Sequence, residues 1–223
     1  MHLRFAKRSD LQSIATVASR AFANQPIYHY FAPRHVEHKD EFRAVLLREI
    51  KERFATPGQV VMVAEEDDGN GKMKIAGYAI WIRIGGPRKW HKDTLTNNDG
   101  TELERSLLRA EAFYVEKRGS DEIFISPNAQ RFHEMAEEIM KGANICDNHW
   151  HLNTIAVSPL FQNQGIGAML IDWGLESAKE EGVPVTLEST TITSKLYVKK
   201  GFRDIGVIRV TKDLQMQVMI FNM

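Results

Sequence analysis

The stretch WHLNTIAVSPLFQNQGIGA, residues Trp150–Ala168, decides the fold, because an alternating run of residues ends in a turn and a short glycine-containing loop. The alternation predicts a strand whose odd-numbered residues 151–157 point to one face and whose even-numbered residues 152–156 point to the other. Ser158 and Pro159 end this strand, because proline has no amide hydrogen to give to a neighbouring strand.

The loop Gln162–Gly167 leads into a run of apolar residues at helical spacing, which predicts a helix that ends at about Glu181 and is capped by Gly182. The order strand, loop, helix predicts an anion site, because the first amides of a helix have no internal partner and the helix dipole adds a partial positive charge. The dinucleotide pattern would need a third glycine and a later acidic residue, and the nucleotide triphosphate loop would need Gly-Lys-Ser/Thr. Neither pattern is present.

Two segments together carry a sharper signal than the loop alone. The first is Gln-x-x-Gly-x-Gly after a strand of the form Leu-x-x-Ile-Ala-Val, and the second is the later segment Leu196–Phe202, LYVKKGF. In this order and at this spacing they resemble the acetyl-CoA signature and the Leu-Tyr-x-Lys-x-Gly-Phe segment of the GNAT N-acetyltransferases, and fungal members most of all. The resemblance rests on motifs over Trp150–Phe202 and on element order over Leu3–Ile84. It implies an acetyl-CoA-dependent N-acetyltransferase.

The implied architecture is the α/β GNAT fold, a mixed and mostly antiparallel sheet of about seven strands flanked by helices, in a single domain over residues 1–223. The sequence patterns agree with this order of elements. Strands are predicted at His2–Lys7, Gln59–Glu65, Lys74–Ile84, Trp150–Val157, Val183–Ser189 and twice in the tail around a turn at Thr211–Asp213. Helices are predicted from Ser9, at Lys39–Phe54 and, within a helical insertion at about 87–148, at Thr101–Lys117 and Ala129–Lys141.

Composition excludes several function classes. The chain has 29 Lys and Arg against 29 Asp and Glu, so there is no overall basic field to bind nucleic acid or an anionic membrane. Its one cysteine, Cys146, excludes an intrachain disulfide and fits a reducing compartment. There is no signal peptide and no apolar run of about twenty residues, so a soluble cytoplasmic protein, monomer or homodimer, is expected. His133 and Glu134 lack the second histidine of a zinc-protease motif, and no metal site is predicted.

The resemblance also implies where acetyl-CoA binds. The strand at Trp150–Val157 and the strand after the helix would separate, so that the pantetheine arm lies between them, while the glycine loop holds the pyrophosphate. Asn163 stands where many members have glycine, and asparagine tolerates the left-handed conformation better than most residues. Thr190 stands where many members have an asparagine that contacts CoA. The cofactor residues implied are Ile155, Ala156, Val157, Gln162, Asn163, Gln164, Gly165, Ile166, Gly167, Ala168, Thr190, Tyr197 and Lys200.

The expected chemistry needs a base and an acid, because an amine acceptor is protonated at neutral pH and the departing thiolate benefits from a proton donor. In the resembling family the tyrosine of the second segment points at the CoA sulfur, which makes Tyr197 the general acid. His151 aligns with the catalytic glutamate of the histone-acetylating branch, and an imidazole with an unperturbed pKa of about 6.5 is suited to accept a proton. A water chain, His149, Asp147 and Glu188 also remain possible as the base.

The acceptor site is expected near the connection between the first two helices, as in the resembling family. Tyr28, Tyr30 and Phe31 form an aromatic cluster between two prolines there, and together with His151 they are the predicted substrate-binding residues; packing between helices is the alternative role for the cluster. The balanced charge favours a small-molecule amine as acceptor. A protein N-terminal or lysine acetyltransferase and a non-catalytic acyl-CoA-binding module remain open.

Overall fold

The structure, a computed structural model, describes residues 1–86, 106–110, 123–145 and 147–222. Residues 106–110 are helical, while the rest of the predicted helix Thr101–Lys117, much of the insertion and Cys146 lie outside the described residues. No helix within the described ranges is both long and apolar enough to cross a membrane.

The strands are β1 (His2–Phe5), β2 (Gln59–Asp67), β3 (Met73–Ile84), β4 (His149–Val157), β5 (Val185–Thr190), β6 (Arg203–Arg209) and β7 (Gln215–Phe221). The helices are α1 (Leu11–Phe22), α2 (Pro26–Phe31), α3 (Lys39–Ala55), α4 (Ser126–Gly142), α5 (Ile166–Glu181) and α6 (Ser194–Lys199).

The seven strands form one sheet in the order β1-β2-β3-β4-β5-β7-β6. Of these strands only β4 and β5 pair in parallel, and every other neighbouring pair is antiparallel. The parallel pair is possible because α5 carries the chain from the end of β4 back to the start of β5. The predicted mixed and mostly antiparallel sheet of about seven strands is therefore confirmed.

Both faces of the sheet are covered by helices. On one face, α1 and α3 bury their apolar sides against β2 and β3, and α2 and α4 cover the β6–β7 end. On the other face, α5 packs its residues 166–178 against Trp81, Trp150 and Leu187. The spacing of apolar residues in α1 and α5 explains this packing, since positions three and four apart share one side of a helix.

Helix α5 approaches the sheet unusually closely at Gly174. A Cβ atom built on Gly174 would overlap the indole ring of Trp81, which is fully buried. At the first residue of the helix, Cγ2 of Ile166 would lie 2.9 Å from a Cβ built on Gly77 of β3. These two contacts fix how far α5 stands from the sheet, and therefore where its N-terminus lies.

The predicted faces of β4 are wrong for its first half. Ile80 of β3 pairs with Thr154 and Trp81 pairs with Leu152, so Asn153 is an extra residue that forms a β-bulge. Beyond a bulge the side chains exchange faces, so Leu152 and Ile155 both pack on the α5 side, while His151 points to the opposite side. Alternation in the sequence gives no sign of the inserted residue.

Strands β4 and β5 pair only at their starts. Their register ends at Leu152 opposite Leu187, and beyond it Asn153–Val157 has no partner on β5. Residues Glu188–Thr190 continue to pair with β7 on their other side. The sheet is thus open between the second halves of β4 and β5, and the open edge of β4 presents backbone groups that an extended ligand could pair with.

Replacing Gly174 with alanine tests the contact between α5 and Trp81. We expect Gly174→Ala to lower the free energy of unfolding by about 1–3 kcal/mol, the usual cost of extra volume in a packed core. Helix propensity alone predicts the opposite sign, because alanine is the better helix former by about 1 kcal/mol. Urea unfolding followed by circular dichroism measures the difference.

The matched control is Gly142→Ala at the last residue of α4, where an added Cβ meets nothing within 4 Å. This variant should not be destabilised. If Gly174→Ala proved as stable as the unmodified protein, the close approach of α5 to Trp81 would be contradicted.

Candidate functional site

The gap between β4 and β5 opens into a cavity of about 310 Å³. Its walls include the unpaired half of β4 together with residues from both faces of the sheet. Tyr197 belongs to the core on the α5 face, whereas Tyr28 and Phe132 belong to the clusters on the opposite face. The cavity therefore connects the two faces. Its lining residues are Ala21, Phe22, Gln25, Ile27, Tyr28, Phe31, Phe132, Leu152, Asn153, Thr154, Ile155, Ala156, Val157, Gln162, Glu188, Ser189, Thr190, Thr193, Tyr197 and Met216.

The N-terminus of α5 has the geometry of an anion site. Gly165 is left-handed with φ of 82°, and the first bond of the helix runs from the Met169 amide to the Gly165 carbonyl at 3.1 Å. The amides of Ile166–Ala168 come before that bond, so they have no acceptor within the helix, as at any helix start. The loop Gln162–Gly165 is exposed, so a phosphate can reach these amides.

Three residues in this loop and at the start of α5 are placed in ways that the sequence indicated only in part. Asn163 has φ of 62°, so the left-handed conformation expected where many members have glycine is present. Ile166 is buried with 1% of its surface exposed, so it can offer a ligand only its backbone amide. Gln162 donates its side-chain amide to the Val157 carbonyl at 3.2 Å, which joins the loop to the end of β4.

The predicted cofactor residues of β4 line the gap. Ile155, Ala156 and Val157 form part of the cavity wall along the open edge of the strand, which suits an extended arm lying there. Together with the α5 amides, they give a site that fits the pyrophosphate and pantetheine parts of acetyl-CoA.

Thr190 and Lys200 both have partners within the chain. The Thr190 hydroxyl lies 2.8 Å from that of Thr193, just before α6. The ammonium of Lys200 contacts both carboxylate oxygens of Asp172 on α5, at 2.6 and 2.7 Å. These contacts connect α6 to its surroundings, and the cofactor roles of Thr190 and Lys200 stay predictions.

Tyr197 is a buried residue on the cavity wall. It is 5% exposed, sits on α6 and packs edge to face against Phe202 at 5.7 Å between ring centres. Burial raises its pKa to about 12, because the phenolate would be poorly solvated. The side chain is therefore a neutral phenol at physiological pH and can donate its proton.

His151 and Glu188 form a buried pair on the face opposite α5. The imidazole Nε2 lies 3.5 Å from the Glu188 carboxylate, and Nδ1 lies 3.0 Å from the Thr186 hydroxyl. Burial lowers the pKa of His151 to about 4 and raises that of Glu188 to about 7. At neutral pH His151 is therefore neutral, and Glu188 is the member of the pair that titrates.

Of this pair only Glu188 lines the cavity. His151, the predicted base, lies beside Glu188 without lining the cavity, and the bulge at Asn153 puts its side chain on the opposite face of the sheet from Ile155. Neither His149 nor Asp147 lines the cavity. Of the four side chains considered as bases in the sequence, Glu188 is thus the one that lines the cavity.

Two of the three aromatic residues predicted for the acceptor site line the cavity. Tyr28 and Phe31 line the cavity, whereas Tyr30 does not and accepts a hydrogen bond at its carbonyl from the Asn128 side chain at 2.7 Å. Sequence reasoning missed several apolar residues that complete this wall, namely Phe22, Ile27, Phe132 and Met216. They lie on α1, α2, α4 and β7, and no local pattern indicates that these elements meet.

Comparison with known proteins places the chain among acetyltransferases. A family model described as an acetyltransferase (GNAT) domain matches residues 107–223. An acetyltransferase of the fungus Stachybotrys chartarum is 24% identical over 212 residues, covering 93% of this chain and 83% of the relative.

Solved structures share the fold over nearly the whole chain. One of them, from Corynebacterium glutamicum, is described as histone acetyltransferase HPA2 and related acetyltransferase. It superposes with a TM-score of 0.63 at 21% identity, and the match covers 99% of this chain and 94% of that one. A polyamine N-acetyltransferase of Drosophila melanogaster gives a TM-score of 0.56 at 12% identity, and the match covers 100% of this chain and 99% of that one. At such identities these similarities show the fold alone, and they confirm the predicted fold class.

The buried carboxylate of Glu188 makes stability depend on pH. Its pKa is about 7 in the fold against an ordinary 4.5, with His133 and His149 opposing the effect of burial. Between these two values the folded state holds more protons than the unfolded state, so stability falls as pH rises through this window. Two and a half pH units correspond to about 3 kcal/mol.

We therefore expect Glu188→Gln to be more stable than the unmodified protein at pH 8, and the gain to shrink towards pH 4.5. Thermal unfolding across this pH range measures it. The control Glu137→Gln removes a carboxylate that is 63% exposed on α4 and should leave the pH dependence unchanged. Parallel pH curves for Glu188→Gln and the unmodified protein would contradict a raised pKa at Glu188.

Proposed function

Since the chain belongs to the GNAT acetyltransferase family and therefore uses acetyl-CoA as its cosubstrate, we propose that it transfers the acetyl group to the primary amine of a small molecule by direct attack. The observation that carries the proposal is the cavity between β4 and β5, which has a buried phenol at one side of the sheet and a buried carboxylate at the other. These are the proton donor and the proton acceptor that the reaction needs.

Acetyl-CoA supplies the acetyl thioester. We assign its pyrophosphate to the backbone amides of Ile166–Ala168 at the start of α5, beside the left-handed Gly165. Its pantetheine arm is assigned to the open edge of β4 at Ile155–Val157, where it would complete the sheet across the gap. This arrangement brings the thioester towards Tyr197 on the cavity wall.

Glu188 acts as the general base in this proposal. Because its pKa is raised to about 7, it is ionised in a large fraction of molecules at neutral pH and still basic enough to take a proton from an ammonium group. Neutral His151 is a positioning residue: its Nε2 lies 3.5 Å from the carboxylate, and its Nδ1 lies 3.0 Å from the Thr186 hydroxyl. Glu188 thus replaces the predicted base His151.

Tyr197 acts as the general acid. After Glu188 takes the proton, the free amine attacks the carbonyl carbon, the C–N bond forms and the C–S bond breaks. The leaving thiolate takes the hydroxyl proton of Tyr197, and the nitrogen releases its second proton to solvent as the amide forms. The proton held by Glu188 then passes through solvent to the Tyr197 oxygen, which restores both groups. The raised pKa keeps Tyr197 protonated until the thiolate forms.

The depth of Glu188 favours a small molecule over a protein as acceptor. The side chain is 13% exposed, so an amine has to enter the cavity to reach it. Phe22 of α1 and Tyr28 and Phe31 of α2 line the cavity on the face opposite α5. A small amine meets these conditions more readily than a chain terminus held by a folded protein.

Calorimetric titration with acetyl-CoA, followed by thiol release against a panel of amines and peptides, tests this function. We expect acetyl-CoA to bind and thiol to be released in proportion to a small amine. Thiol release with peptides alone would overturn the small-molecule assignment. Binding without release by any acceptor would overturn the catalytic assignment and leave an acyl-CoA-binding module.

Replacing Tyr197 with phenylalanine tests the general acid. Removing the hydroxyl should lower kcat by about 10²-fold or more, the usual contribution of acid catalysis, while the Kd for acetyl-CoA stays within about twofold. The control Tyr78→Phe removes another buried hydroxyl, on β3 and outside the cavity, and should keep kcat within a few-fold. Equal kcat for Tyr197→Phe and the unmodified protein would exclude the acid role.

A further inference from the structure

The cavity also restricts the chemistry of the acceptor. Resting on the proposed function, we infer that the acceptor is an apolar monoamine: one primary amine on an aromatic or alkyl body, without a second charged group. The inference depends on which charges the cavity contains and on what surrounds them.

Glu188 is the one charged side chain among the described residues that line the cavity. The remaining polar groups there are hydroxyls and amides, such as those of Gln25, Asn153 and Thr193. The cavity therefore offers a carboxylate to one ammonium group, and no cation among the described lining residues pairs with an acceptor's carboxylate. A buried charge without a partner is costly, so the site matches a single positive charge.

The acceptor face of the cavity is walled by aromatic rings in contact with one another. Phe22 stacks on Tyr28 at 4.7 Å between ring centres, Tyr28 meets Phe31 edge to face at 6.2 Å, and Phe31 meets Phe132 at 5.6 Å. Ile27 and Met216 fill the space beside them. This chain of rings runs from α1 through α2 to α4, so the wall is continuous and apolar.

The wall and the carboxylate together define the acceptor. Burial of an apolar body against the rings removes its surface from water and favours binding. Its amine then reaches Glu188 where β4 and β5 are unpaired. A diamine or polyamine would bring a second ammonium group against this wall, away from any second described carboxylate in the cavity. An amino acid would bring a carboxylate close to Glu188, which repels it.

Two matched pairs of acceptors test the inference on the unmodified protein. Phenethylamine and phenylalanine differ by one carboxylate, and butylamine and putrescine differ by one ammonium group. We expect kcat/KM to be at least about 100-fold higher for phenethylamine than for phenylalanine, and for butylamine than for putrescine. The second amine of each pair would leave a buried charge unpaired. Thiol release measures all four.

A preference for phenylalanine or putrescine, or equal rates within a pair, would overturn the monoamine inference while the thiol release itself upholds acetyl transfer. Failure of all four amines and of the wider panel to release thiol, with acetyl-CoA bound, would instead overturn the proposed function. The two failures are therefore distinguishable.

A substitution in the wall provides a second test. Phe132→Ala should raise KM for phenethylamine about tenfold and leave KM for acetyl-CoA unchanged, because the ring lies on the acceptor face. Phe132→Leu keeps most of the apolar volume and should raise KM less. Equal rises in KM for both substrates, or none for phenethylamine in either folded variant, would contradict the wall as the acceptor's binding surface.

Discussion

The separation of β4 from β5 is the constraint on which the rest of the site depends. The two strands pair through Leu152 and Leu187 and then part, and the bulge at Asn153 lies where they part. A sheet normally satisfies both edges of a central strand, so an open edge in its middle is costly unless something else occupies it. Here the open edge faces a cavity that connects the two faces of the sheet. In the proposed reaction, cosubstrate and acceptor therefore meet from opposite faces of the sheet.

Burial suits Tyr197 and Glu188 to the opposite roles that we propose for them. In both cases low solvation disfavours the ionised form and raises the pKa. For the phenol this preserves a proton that can be donated, and for the carboxylate it raises basicity to the range where an ammonium proton can be accepted. The same burial means that ionised Glu188 lowers the free energy of unfolding at high pH. An ionisable group at a cavity whose pKa is shifted by burial is typical of a functional site.

Packing of α5 fixes the position of the backbone amides at its N-terminus, to which we assign the pyrophosphate. Gly174 lets the helix rest against Trp81, and the carboxylate of Glu181 at its other end accepts hydrogen bonds from Arg83 at 2.7 Å and from the Trp150 indole at 3.0 Å. Both Arg83 and Trp150 lie on the central strands β3 and β4. The helix is therefore held at its middle and its C-terminus, so its N-terminus stands in a defined place at the end of β4. Pre-organisation of this kind lowers the entropic cost of binding a flexible cosubstrate.

Local patterns in the sequence determined the elements and the cosubstrate loop. Helical spacing, strand alternation and turn residues predicted β1–β7, α1, α3, α4 and α5 within a few residues, and the left-handed Asn163 follows from its side chain. These features depend on neighbours in the chain, which a sequence displays directly. The two segments around Gln162 and Tyr197 also indicated the family, which the match over residues 107–223 bears out.

Only the tertiary structure decided how the proposed acceptor side is completed beyond Tyr28 and Phe31. The bulge at Asn153 placed His151 on the opposite face of the sheet from Ile155, although alternation had predicted one face for both. Glu188 gained its raised pKa from burial among elements distant in sequence, and Phe132 and Met216 joined Tyr28 at one wall from α4 and β7. Burial, strand register and the meeting of remote side chains arise only when the chain is folded, because each depends on contacts between residues that the sequence keeps far apart.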